Sequence, residues 1–544
     1  MTDVETADKN VKQILEESKI NDDFNTNGIQ LLKRGKKGLL SILFSRTGIV
    51  ILLLVLQVAL ITLWIGSLRE YMPHYMVFMG ILDAFMAILV INSPMDSTAK
   101  ITWLVIISIL PVFGALFYLY CWTNLGHRKL KQRVEDLTEK EKDLIIQDPD
   151  VLREVKEISP ETAGMAHYIR RTGCYPIYNN TDVRYFPMGE DMLETMLWEL
   201  DKAEDFIFLE YFIINEGIMW GKILEILARK VQEGVDVRVI YDGTCEITKL
   251  SSDYPKRLEK LGIKCRVFSP LRPFVSTHYN YRDHRKIMVI DGKTAFTGGV
   301  NLSDEYINEL EKFGKWKDTA LMIKGEAVKS FTLLFLSAWN LTGTEESYLK
   351  YLSVPAEIPK NTLGYVMPYG DNPLDQDKVG EFVYMDILNH ASRFVHIMTP
   401  YLILDDELTA ALKLAASRGV DVKLILPGIP DKAIPYALAK GHYMTLLRAG
   451  VKIYEYTPGF VHAKVFVSDD VRAVVGTINL DYRSLYHHFE CATYLYRTAC
   501  IPDIEDDFQQ TLRQCRKVTK KMVRSEKLHT KITCVLVKAI APLL

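Results

Sequence analysis

The chain has 544 residues, 48% hydrophobic and 25% charged, too long for one average domain and too apolar for a disordered or collagen-like protein. Lys+Arg 66 against Asp+Glu 68 leaves a net charge of −2, which excludes the strongly basic balance of a protein that coats nucleic acid. The eight cysteines, Cys121, Cys174, Cys245, Cys265, Cys491, Cys500, Cys515 and Cys534, form no C-x-x-C pair and lie near no histidine pair at zinc-ligand spacing. They read as small buried apolar side chains in a reducing compartment, not as a disulfide framework or a structural zinc site.

In chain order, residues 1–47 form a segment closing on Lys33, Arg34, Lys36, Lys37 and Arg46, expected on the cytoplasmic side. Three apolar segments follow, 48–68, 75–91 and 101–122. The first carries no charge, the second is shorter and holds Asp83, and the third contains Pro111 and Gly114. A span needs roughly 20 residues to cross the hydrocarbon core, so all three are read as transmembrane helices. The first lies too deep in the chain, and lacks a small-residue cleavage site, to be a signal peptide. Asp83 is read as interfacial or packed between helices rather than functional. His127, Arg128, Lys129, Lys131 and Arg133 follow the third segment. The positive-inside rule wants both basic clusters in the cytoplasm, yet three crossings separate them. Either the middle segment is re-entrant or one cluster breaks the rule.

Residues 123–162 are charged and helix-prone, a connector. From residue 163, strand-like runs at 206–211, 235–241 and 265–268 alternate with helical stretches such as 221–233, which signals an α/β fold. The basic run 513–527 reads as a solvated helix face, with anionic headgroups as the competing partner. The tail 528–544 intersperses Lys531 and Lys538 with apolar residues. It fits an amphipathic helix on lipid as well as a last helix packed on the domain.

The α/β region is doubled, into half-domains at 163–350 and 351–527. Gly234, Val235, Asp236 and Val237 recur as Gly419, Val420, Asp421 and Val422. His284, Lys286 and Asp291 recur as His462, Lys464 and Asp469. At equal spacing beyond them lie Gly298 with Asn301 and Gly476 with Asn479. Repeats of this length mark duplicated structural units. A repeat serving only the core would repeat apolar residues rather than His, Lys and Asn.

On a strand, residues i and i+2 share a face, so His284 projects with Lys286 and His462 with Lys464. Halves related by a pseudo-twofold axis bring both pairs to one cleft of two imidazoles, two ammoniums and two carboxamides, a set suited to a phosphodiester. The lysines neutralise its oxygens, and Asn301 and Asn479 donate hydrogen bonds. Asp291, seven residues from its histidine and followed by Gly292, reads as a turn residue or a brace of the half-domain interface, as does Asp469. Carboxylates better placed to orient the imidazoles are Asp318 and Glu490. Glu210–Tyr211 and Pro400–Tyr401 sit at corresponding strand ends, as cleft lining or packing. His278, His487 and His488 are read as surface or supporting histidines.

The paired motifs resemble those of the phospholipase D superfamily. Asn280, Tyr281, Arg282, Asp283, His284, Arg285 and Lys286, then Trp316, Lys317 and Asp318, and Asn479, Leu480, Asp481, Tyr482, Arg483 and Ser484, are similar to bacterial cardiolipin synthases. So are the N-terminal segments and the closing Ala541, Pro542, Leu543 and Leu544. Departures are Lys317 where the family commonly has Arg, and His488 where Asn is usual. The resemblance implies two α/β half-domains behind transmembrane helices, in a multi-pass protein of the bacterial cell membrane with its catalytic part facing the cytoplasm. It implies a catalytic set of His284, Lys286, Asp291, His462, Lys464 and Asp469. The implied reaction passes a phosphatidyl group between two phosphatidylglycerol molecules through a phosphohistidine, with His284 as nucleophile and His462 as acid and base. The expected partners are phosphatidylglycerol and anionic membrane lipid, without nucleic acid; a homo-oligomer is left open. No G-x-x-x-x-G-K-[ST] loop and no carboxylate-rich metal cluster is evident, so neither cofactor nor metal is expected. A phospholipase D using water as acceptor, or another phosphatidyltransferase of the superfamily, is the alternative.

Overall fold

A computed structural model describes residues 72–93, 95–122, 125–270, 281–375 and 377–526, with residues 54–59, 62, 531, 534, 537 and 538. The expected span 48–68 and the tail 528–544 therefore lie mostly outside the described residues, and the basic cluster 33–46 and His278 lie wholly outside them. The chain divides near residue 131 into a helical unit and a larger α/β unit.

In the helical unit, helix α1 is Met72–Ile91, α2 is Ser97–Ile109 and α3 is Pro111–Trp122. The side chain of Asp96 caps α2 by accepting from the Ala99 N–H at 2.9 Å. The segment 101–122, expected to be one span, is two helices instead. Pro111 disfavours helical geometry at the preceding residue, and Leu110 leaves the helix at φ −130°, ψ 74°. The chain folds back, placing Trp103 against Phe117 and Tyr118 with ring centres 5.5 and 5.2 Å apart. Gly114 permits the approach, since a Cβ there would stand 2.7 Å from the Ile107 Cα. At 1.5 Å per residue, helices of 13 and 12 residues reach only roughly 20 Å. Among the described residues, no helix is long and apolar enough to cross a membrane. Met86, Val90, Trp103, Ile107, Ala115 and Tyr118 form this unit's small core. Phe78, Ile81, Phe85 and Ile88 stay exposed at helical spacing along α1.

The α/β unit holds two mixed sheets of matching order. In the first half the strands are β1 (Thr181–Phe186), β2 (Phe206–Tyr211), β3 (Asp236–Asp242), β4 (Lys264–Phe268), β5 (Arg282–Asp283), β6 (Lys286–Ile290), β7 (Thr294–Gly298), β8 (Lys315–Lys317) and β9 (Ala320–Gly325). The second half supplies β10 (Tyr365–Asp371), β11 (Phe394–Met398), β12 (Asp421–Pro427), β13 (Lys452–Tyr456), β14 (Gly459–Val461), β15 (Val465–Ser468), β16 (Arg472–Gly476), β17 (His488–Tyr496) and β18 (Cys515–Lys517). One sheet runs β1-β9-β7-β6-β2-β3-β4 and the other β10-β17-β16-β15-β11-β12-β13-β18. The first seven places correspond one to one, as duplication requires. Central strands are buried along their whole length, β2 and β6 among them, which is why they read as continuous apolar runs.

The crossover helices are amphipathic. Ile218–Gln232 buries Trp220, Ile223, Leu224 and Leu227, spaced three and four apart. The repeated Gly234 and Gly419 follow the crossover helices at φ +95° and +93°, the left-handed geometry that ends a helix and that glycine adopts without a steric penalty.

Two short parallel pairings join the halves. β5 runs beside the start of β17, and β8 beside β14. Both bring a histidine motif of one half against a carboxylate of the other.

Candidate active site

Each motif histidine directly follows one of these joining strands. The His284 N–H donates to the Phe489 carbonyl at 2.9 Å, and the His462 N–H donates to the Lys317 carbonyl at 2.7 Å. The next residue in each case is the orienting carboxylate. His284 Nδ1 lies 2.9 Å from both Glu490 oxygens, and His462 Nδ1 lies 2.6 Å from Asp318 Oδ2. The two halves thus exchange carboxylates, each imidazole being held by the opposite half. A carboxylate on Nδ1 fixes that nitrogen as the donor and leaves the lone pair on Nε2.

Burial sets the electrostatics. It pushes the His284 imidazole well below its ordinary pKa, aided by Lys286 and opposed by Glu490. His462 is pushed down to about 4, by burial first and then by the Lys464 charge, against Asp318. Glu490 and Asp318 would be raised by burial, but the imidazoles beside them hold both below the usual carboxylate range. At neutral pH each pair is therefore a neutral imidazole on an ionised carboxylate. Burial also lowers the lysines, Lys286 to about 8 and Lys464 to about 7. The Lys286 charge bears on both His462 and Lys464, so the half-sites share one electrostatic centre. Each lysine donates to the carbonyl of its own histidine, and Lys464 Nζ lies 3.1 Å from His462 Nε2.

Asp291 and Asp469 stand apart from this centre. They follow the far ends of β6 and β15, with φ +52° and +56°, in tight turns closed by Lys293 N–H to Ile290 O and by Val471 N–H to Ser468 O. Asp291 accepts from the backbone N–H of Glu204, Asp205 and Phe206. Asp469 accepts from Ser392, Arg393 and Phe394. Each carboxylate thus ties a turn to the start of the neighbouring strand within its own half. This geometry replaces the brace between halves, and it keeps both side chains out of the imidazole cluster.

Asn301 and Asn479 are buried. Asn301 Oδ1 accepts from the Ile213 N–H at 3.0 Å, and Nδ2 donates to the Tyr306 hydroxyl at 2.9 Å. Lys317 binds Asp507 at 2.7 Å and the Pro187 carbonyl, which ties the halves together away from the imidazoles. Glu210, fully buried, pairs with Arg285 at 2.7 Å. Tyr401 donates to Asp431 at 2.6 Å.

Four further residues shape the two half-sites. Thr477 donates its hydroxyl to Glu490 Oε2. Its counterpart in the repeat, Gly299, is small because a Cβ there would stand 2.0 Å from Asp318 Oδ1. His488 lies beside His284 with ring centres 5.3 Å apart, and Trp316 takes the matching place beside His462 at 5.4 Å.

A family model described as cardiolipin synthase, PLD-like domain, matches residues 196–338 and 384–512. A cardiolipin synthase of Geobacillus kaustophilus (strain HTA426) is 33% identical over 505 residues, covering 92% of this chain and 99% of that protein. The chain belongs to the cardiolipin synthase family of the phospholipase D superfamily. A phospholipase D-nuclease N-terminal model matches residues 81–120. An uncharacterized protein of Streptococcus mutans is 58% identical over 455 residues, 84% of this chain and 98% of that protein. The crystal structure of phosphatidylserine synthase from Haemophilus influenzae aligns with TM-score 0.52 at 15% identity, over 66% of this chain and 93% of that one, a likeness of fold. As a member of the cardiolipin synthase family, the protein is an enzyme, a phosphatidyltransferase.

Proposed function

We propose that this enzyme makes cardiolipin and glycerol from two molecules of phosphatidylglycerol at a membrane. The carrying observation is the crossed pair of carboxylates, which orients each neutral imidazole through Nδ1 in one buried centre that also holds Lys286 and Lys464. In the first step, His284 Nε2 attacks phosphorus and the bond to the glycerol oxygen breaks. His462, protonated at Nε2 in the substrate complex, gives that proton to the departing oxygen. A phosphohistidine on His284 remains. In the second step, His462 takes the proton from the hydroxyl of another phosphatidylglycerol, whose oxygen displaces His284 from phosphorus. One phosphodiester replaces another, so no external energy source is needed. Lys286, Lys464, Asn301 and Asn479 hold the phosphate oxygens. Asp318 and Glu490 orient the rings, and Asp291 and Asp469 serve the turns alone.

The membrane setting is supported by the exposed apolar face of α1. The fold-back at Leu110 makes residues 97–122 a hairpin of two short helices, which fits an element re-entering or lying on the membrane rather than a third crossing. Purified enzyme with phosphatidylglycerol vesicles provides the test. Equal amounts of cardiolipin and glycerol are expected; phosphatidic acid without cardiolipin would identify water as the acceptor and refute the synthase reading.

A further inference from the structure

His488, which stands where the second half-site has Trp316, is about nine-tenths buried, and its Nδ1 has no hydrogen-bond partner. That nitrogen points at Glu490, 3.6 Å from Oε1. His284 Nδ1 lies 2.9 Å from the same oxygen. One donor atom each from His284, His488 and Glu490 lies within 4.8 Å of the others. Two imidazole nitrogens and a carboxylate are the donor set that holds zinc with an open fourth position, and zinc–ligand bonds near 2.0–2.1 Å put tetrahedral ligands about 3.3 Å apart. The observed spacings of 2.9 and 3.6 Å bracket that value.

We propose that His284, His488 and Glu490 form an inhibitory site for a transition-metal dication of the zinc class. Inhibition follows from the tautomer. A metal on His284 Nδ1 needs the lone pair there, so the proton moves to Nε2 and the attacking lone pair is lost. On His488 the same exchange gives up a 3.5 Å contact from Arg483 to Nε2, at the outer limit of a hydrogen bond. The second half-site is spared, because the Trp316 indole offers no ligand lone pair.

The inhibitory effect rests on the role proposed for His284; metal binding does not. Full-length protein is titrated with cobalt(II), read by its visible ligand-field absorption, and with zinc, read by turnover relative to each variant's own metal-free rate and by melting temperature. One ion per chain, a rise in melting temperature and lost turnover are expected. His488→Asn should weaken binding by about 100-fold or more, at or beyond the loss seen for supporting residues around metals. His462→Asn should bind cobalt as the parent does. Absence of saturable binding, or parental binding by His488→Asn, would overturn the site. An ion that binds as described yet leaves turnover intact would refute the role of His284 and the inhibition together, while the binding triad stands.

Discussion

The two half-sites hold their imidazoles in the same way with different parts. In the second, a short carboxylate, Asp318, reaches His462 at 2.6 Å and also accepts from the Thr319 N–H at 2.8 Å. In the first, the longer Glu490 reaches His284 with both oxygens and is steadied by the Thr477 hydroxyl. Where the longer side chain sits, the repeat allows a threonine. Where the shorter one sits, only glycine fits, because Asp318 occupies the space of a Cβ on Gly299. Duplication thus preserved the hydrogen bond to Nδ1 while carboxylate length and the opposing residue varied together.

The largest expected effect tests whether these halves are one centre. His284→Ala and His462→Ala should each lower kcat by about 10⁴-fold or more, and the double variant should be no worse than the weaker single, as for groups that act as a unit. Two independent sites would leave roughly half the activity in each single variant. Next in size is the exchange of carboxylates. Asp318→Asn and Glu490→Gln should each lower kcat by about 10³–10⁴-fold, since an amide favours the wrong tautomer. An unequal loss, read from initial rates, would show that the halves do not contribute alike.

Gly299→Ala sharpens the contrast further. It should displace Asp318 and lower kcat by about 10–100-fold, whereas Thr477→Gly, which removes one hydrogen bond, should cost about tenfold or less. Equal effects would refute the steric explanation for the glycine.

The pH dependence separates the halves more gently. In the free enzyme, kcat/KM should fall at low pH as the attacking His284 takes a proton, which burial confines to pH well below the ordinary imidazole range. It should fall again as pH rises through about 7, where Lys464, lowered mainly by burial, loses the charge that holds the phosphate. Lys464→Arg keeps its charge and should remove that upper limb, leaving the one near 8 from Lys286. The smallest catalytic effect belongs to Asp291→Asn and Asp469→Asn. Each should lower stability by about 1–3 kcal/mol in thermal unfolding and leave the kcat of folded protein within about twofold. A large loss of kcat in either would return that carboxylate to the reaction.

Much of this centre was legible in the sequence because duplication repeats its spacing. Polar residues recurring in register at His284, Lys286 and Asn301 and at His462, Lys464 and Asn479 expose both the half-domains and the cleft. The pairing of parts was not legible. Glu490 lies 206 residues from His284 and Asp318 lies 144 from His462, and no local pattern reports a contact made through β5 and β8. Nor does spacing tell a turn residue from an interface brace, and the backbone hydrogen bonds to Asp291 and Asp469 decide that. In the helical unit the break was visible as Pro111 and Gly114, but hydropathy alone cannot distinguish a kinked span from a hairpin. The Trp103–Tyr118 contact does so.

The most direct test is rapid acid–base-controlled quenching with phosphorus-labelled phosphatidylglycerol, followed by peptide mapping. One label per chain is expected, on the peptide holding His284, and none on the peptide holding His462. Two labels per chain, one on each histidine, would mean two separate sites and would contradict a single shared centre.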